Sequence, residues 1–171
     1  MMCGGSIISV HHVLTAAHCI DPLVVNGQLI ESTRGVVGSN QWNSTEGLVK
    51  FTNFKNHPSW DYARTKNDIG VLFLVQPLVL SARVGVVSLS FDWVDGDVSS
   101  FVTGWGRLGA DLTSNSLILF PFADNLQLIN LKTMSPSGCS AALAASPGAG
   151  ITLDSDLEIC TFHSIGHGLC Y

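Results

Sequence analysis

His18 closes the run LTAAHC, residues 14 to 19, directly before Cys19, and two alanines lead into it from a β-like stretch. A histidine held at a fixed backbone position is the commonest general base in proteins. Upstream, CGGSIIS begins at Cys3. A disulfide from Cys19 to Cys3 would hold the histidine's backbone, and closing a loop of about 15 residues stabilises by roughly 3 kcal/mol in the chain-entropy account. Alone, a histidine beside a cysteine is as well read as a structural residue next to a disulfide. A second ionisable group sharpens the reading, because Asn67-Asp68 stands immediately before the apolar run IGVLFLV. A carboxylate at the mouth of an apolar strand is costly unless it is hydrogen-bonded. An imidazole is the partner such a carboxylate serves, since the carboxylate fixes the ring's tautomer and stabilises the imidazolium.

Other candidate groups carry less. His163 and His167 stand four apart, a spacing that suits metal binding on a helix, but Gly166 and Gly168 argue against a helix there and favour a solvated loop. The five cysteines, Cys3, Cys19, Cys139, Cys160 and Cys170, include no CxxC pair and no zinc-ligand spacing, so disulfides in an oxidising compartment are the expected use. An odd count leaves one thiol over. No cofactor and no metal is expected.

These groups need a scaffold, and composition points to a buried, β-rich one. Apolar residues make up 46 % and charged residues 12 % of 171 residues, the latter about half the roughly 25 % usual for soluble domains. The longest apolar run, Ile69 to Leu80, is broken by Gln76 and Pro77 and falls short of the roughly 18 residues of a membrane span. A net charge of -5 with eight Lys plus Arg and no basic cluster excludes a nucleic-acid footprint. Short β-type runs recur between turn signals at residues 6–10, 13–17, 35–40, 47–54, 69–75, 84–90 and 99–105, the pattern of an all-β sandwich or barrel. A single helix is expected around Pro136 to Ala145, with Ser135 as cap and Pro136 in the first turn. From Gly109 to Gly150 the composition shifts, and SLILFPFADNLQLINL is read in part as strand.

CGGSIIS, LTAAHC, NDIGVLFL and TGWGRL, followed by EIC and TFHSIGHGLC, together resemble the chymotrypsin and trypsin family of secreted serine endopeptidases, in its order and near its spacing from Cys3 to Tyr171. The resemblance implies an all-β, chymotrypsin-like double β-barrel of Greek-key type. An N-terminal barrel over about 1–95 would lack its first strand, and an incomplete C-terminal barrel would follow over about 96–171, with His18 and Asp68 in the cleft between them. It implies that His18 is the general base, that Asp68 orients it, and that His57 in NHPSW is a surface residue. It pairs Cys3 with Cys19 and Cys139 with Cys160, and leaves Cys170 unpaired. After Cys170 and one further residue the family continues GDSGGP, so the nucleophilic serine is expected beyond Tyr171. These residues would then be a fragment, inactive as they stand. Ser164 lacks the required surroundings to replace that serine. Gly168 occupies the position where the trypsin branch carries an aspartate, which implies an apolar or open primary pocket. SLILFPF is additional relative to the family and, if exposed, an aggregation liability. The implied partners are polypeptide substrates and protein protease inhibitors, with no nucleic acid, no membrane, a monomeric state and an extracellular location. MMCGGSIISV contains no secretory leader. The alternative is a non-catalytic homologue that binds proteins.

Overall fold

A computed structural model describes residues 3–108, 110–113, 116–119, 121–145 and 152–163. The chain divides into two compact units, Met1–Ser90 and Phe91–Tyr171. In the first unit the elements are β1 (Ser6–Ser9), β2 (His12–Thr15), α1 (Ala17–Ile20), a 3-10 turn (Asp21–Leu23), β3 (Val24–Val25), β4 (Gln28–Leu29), β5 (Arg34–Val36), β6 (Leu48–Asn56) and β7 (Gly70–Leu74). Five of the strands form one antiparallel sheet in the order β1-β2-β7-β6-β5, and β3 and β4 form a separate hairpin. The register is irregular between Phe51 and Asn53 of β6 and between Ile7 and Ser9 of β1, and such bulges bend a strand and raise its twist.

β7 shows why the sheet has an inside. Its sequence GVLFL buries Gly70, Leu72 and Leu74 and leaves the alternate residues half-buried, the period of two that a strand imposes. Against that face lies Ile20 of α1, which is fully buried, as is Ala17. Gly70 makes the docking possible: a Cβ there would stand 2.6 Å from Ile20 Cδ1 and 2.7 Å from Asn56 Oδ1. Only a residue without a side chain lets the helix approach β7 so closely.

The second unit contains β8 (Ser99–Gly104), β9 (Ala110–Thr113), β10 (Ser116–Leu119), β11 (Gln127–Thr133), α2 (Pro136–Ala144) and β12 (Thr161–Phe162). β12, β11 and β8 form an antiparallel sheet, and β9 pairs with β10. Thr133 is buried, and its hydroxyl donates to Asp95 O at 2.5 Å and accepts from Val98 N at 2.9 Å, which ties the chain before β8 to the end of β11. α2 begins as its sequence dictates: Ser135 Oγ accepts from Gly138 N at 3.2 Å and Pro136 follows in the first turn. Cys139 on α2 is fully buried and bonded to Cys160.

The all-β class is as expected, with two differences of detail. VGVVSLS, residues 84–90, is not a strand; it takes part in the Ser81–Val84 bridge and in a hydrogen bond from Val87 N to Ile7 O at 2.9 Å. Alternating valines fit a pleated surface, but a ladder also needs a neighbour running alongside, which alternation does not encode. The run at 13–17 ends as a strand at Thr15, and a helix expected nowhere in this region starts at Ala17. Among the described residues no helix is long and apolar enough to cross a membrane.

Candidate active site

α1 is four residues long, too short to hold itself together. Its N-cap position is Ala16, which offers no side-chain acceptor, so the first N–H groups of the helix need partners from elsewhere. Asp68 supplies one across 50 residues of sequence: its Oδ1 accepts from His18 N at 2.8 Å. Asp68 Oδ2 lies 2.6 Å from His18 Nδ1. One carboxylate thus grips the backbone and the ring of the same residue.

That grip sets the protonation pattern. A carboxylate oxygen accepts, so Nδ1 carries the proton, and in the neutral ring Nε2 holds the lone pair. His18 has 39 % of its side chain exposed and Asp68 20 %, so the pair is partly open to solvent. Nε2 lies 3.4 Å from Cys19 Sγ. Cys19 is bonded to Cys3 and has no S–H to donate, so the contact leaves the lone pair unblocked by a proton. Cys3, His18 and Cys19 place their ligand-type atoms within 4.8 Å of one another. Metal ligation by cysteine needs a thiolate, and both sulfurs here are consumed in the disulfide.

Asp68 is itself held by the loop before β7. His57 N donates to Ile69 O at 2.9 Å, Asp61 and Lys66 pair through two backbone hydrogen bonds, and Asn67 Nδ2 donates to Ser59 O at 3.0 Å. Asn67 adopts a φ of 57°, a left-handed conformation that asparagine tolerates better than most residues. The hydrogen bond from Arg64 holds the Asp61 carboxyl below its usual range. The loop is fastened to the helix side by Asp21, whose two carboxylate oxygens accept from Asn56 Nδ2 and Trp60 Nε1, each at 2.8 Å. Sequence reading passed over Asp21, Asn56, Trp60 and Gly70. Asp21 lies 35 and 39 residues from its partners, and no local pattern connects them.

His57 is exposed, and its Nδ1 accepts from Ser59 N at 3.1 Å. Cys139 and Cys160 are joined in the second unit, where His163 is exposed. Ser164, His167, Gly168, Cys170 and Tyr171 lie outside the described residues.

Comparison with known proteins agrees with the motifs. The family model described as Trypsin matches residues 1–170. The chain is 31 % identical over 140 residues to Trypsin delta of Drosophila erecta, covering 82 % of this chain and 51 % of that protein. It is 29 % identical over 140 residues to Trypsin alpha of Drosophila melanogaster, covering 82 % of this chain and 50 % of that protein. With Brachyurin of Leptuca pugilator it shares 29 % identity over 153 residues, which is 90 % of this chain and 63 % of that protein. The chain therefore spans about half the length of the trypsins it matches. A match over nearly every residue, on an antiparallel β framework with two disulfides, establishes that the chain belongs to the trypsin family.

Proposed function

We propose that this chain carries the base and the orienting carboxylate of a secreted serine endopeptidase acting on polypeptides. The observation that supports this most is the double grip of Asp68 on His18, which leaves Nε2 as the one ring nitrogen able to take a proton. In such an enzyme His18 Nε2 removes the proton of a serine hydroxyl as its oxygen attacks the peptide carbonyl. It then returns that proton to the departing amine, and water releases the acyl group by the reverse sequence. Asp68 stays ionised throughout and stabilises the imidazolium.

The attacking serine belongs to a GDSGG segment, which these 171 residues do not contain. Produced alone, they are therefore expected to show no peptide turnover, because both the nucleophile and the backbone N–H groups that receive the oxyanion come from that segment. Gly168 supports an apolar or open primary pocket in place of one that selects Lys or Arg. Two disulfides support an oxidising, extracellular setting.

The test uses the protein that joins this chain to a GDSGG segment. Its hydrolysis of peptide amides should fall by about 10⁴-fold in kcat on Asp68→Asn with little change in KM, because that substitution removes the orienting acceptor and permits the wrong tautomer. Turnover unaffected by Asp68→Asn or by His18→Ala would refute the assignment. Turnover by the 171 residues alone, abolished by His18→Ala, would show that another group serves as nucleophile.

A further inference from the structure

The connection between β5 and β6 carries a feature that proteolysis does not use. Asn43-Ser44-Thr45 is the single Asn-x-Ser/Thr triplet in the sequence, and its middle residue is not proline. This is the acceptor pattern for attachment of an oligosaccharide to the asparagine amide. A triplet is only a pattern until the fold places it, and here the placement is favourable.

The connection is closed at its base and open at its tip. Val37 N donates to Gly47 O at 3.0 Å. Gly47 has a φ of 70°, and a Cβ there would stand 2.0 Å from Val37 O, so only glycine closes this turn. Within the loop Ser44 N donates to Gln41 O at 3.3 Å, and Ser44 Oγ accepts from Glu46 N at 3.1 Å. Ser44 thus turns inward while Asn43 and Thr45 on either side are exposed. Neither the Asn43 carboxamide nor the Thr45 hydroxyl has a hydrogen-bond partner among the described residues. The same chain forms two disulfides, which belong to the compartment in which such glycans are added.

We propose that Asn43 is an N-glycosylation site. The donor is an oligosaccharide linked to a lipid diphosphate, and the oligosaccharyltransferase of the endoplasmic reticulum lumen makes the transfer. Asn43 Nδ2 forms a bond to the anomeric carbon of the first sugar. The bond from that carbon to the diphosphate oxygen breaks, the lipid diphosphate departs with the electron pair, and Nδ2 gives up one proton. The glycan stands in the connection that follows β5, the edge strand of the five-stranded sheet, and next in sequence to Trp42, which is 42 % exposed. An exposed strand edge invites pairing with other chains, and a bulky, hydrated group at this hairpin obstructs it.

The experiment is translation of the chain behind a cleavable secretory leader in the presence of endoplasmic-reticulum microsomes, read only on the protease-protected fraction. Glycans are added to the chain as it enters the lumen, so the result does not depend on how well a variant folds. The expected result is one endoglycosidase-sensitive step in mass, absent from Asn43→Gln and Thr45→Ala and retained in Thr45→Ser. Peptide-N-glycosidase treatment in heavy-oxygen water should label the peptide at position 43. Protected chain that carries no glycan, or a step that persists in Asn43→Gln, would overturn the proposal.

Discussion

At the scale of single residues, the site turns on Asp68. Its two oxygens perform different tasks: one completes the backbone of a helix without a cap of its own, and the other fixes the ring that the helix carries. Hydrogen bonds to an ionised acceptor contribute about 1.5–3 kcal/mol each. Asp68→Ala should therefore lower stability by about 2–4 kcal/mol, less whatever solvent regains at this partly exposed position, as a shift of the urea midpoint with unchanged slope. Asp68→Asn should cost less, since its carbonyl oxygen can still accept from His18 N. A larger loss with Asn than with Ala would contradict the dual role.

At the scale of elements, Gly70 and Ile20 form one contact on which the position of α1 depends. Gly70→Ala should destabilise by about 1–3 kcal/mol because the added methyl overlaps Ile20 Cδ1. Ile20→Val removes that methyl, so the double variant should recover part of the loss, and a cycle with no coupling would contradict the contact. Asp21 fastens the same region, and Asp21→Ala should leave two donors unpaired at a cost of about 1–3 kcal/mol and change the fluorescence of Trp60. How far such elements were legible depended on where their stabilising partners lie. α2 was readable because Ser135 and Pro136 act within one turn. β7 was readable because alternation is local. α1 was not, because its stability comes from Asp68, Gly70 and the Cys3–Cys19 bond, and two of these lie about 50 residues downstream. For the same reason His18 and Asp68 were recognisable as candidates through LTAAHC and NDIGVLFL, whereas the bidentate geometry that joins them had no signature in either motif.

At the scale of the whole molecule, many large apolar side chains are exposed among the described residues. The register of β8, β11 and β12 puts Phe101, Leu128 and Phe162 on one face of their sheet, and all three are more than half exposed. Exposed apolar faces beside open strand edges favour association. Produced alone, the 171 residues should self-associate in a concentration-dependent manner, and Phe101→Ser with Leu128→Ser should reduce this in sedimentation velocity. A chain that stays monomeric at high concentration would show that this face is already covered.

Asp68 holds His18 with its proton on Nδ1 and, in the neutral ring, its lone pair on Nε2. The most direct measurement is the ¹⁵N–¹H long-range NMR correlation of the His18 ring, taken above the pH at which the ring becomes neutral. The expected spectrum has a protonated, pyrrole-type Nδ1 with a strongly downfield proton and a pyridine-type Nε2, and the downfield proton is lost in Asp68→Ala. A proton found on Nε2, or a spectrum indifferent to Asp68, would contradict it.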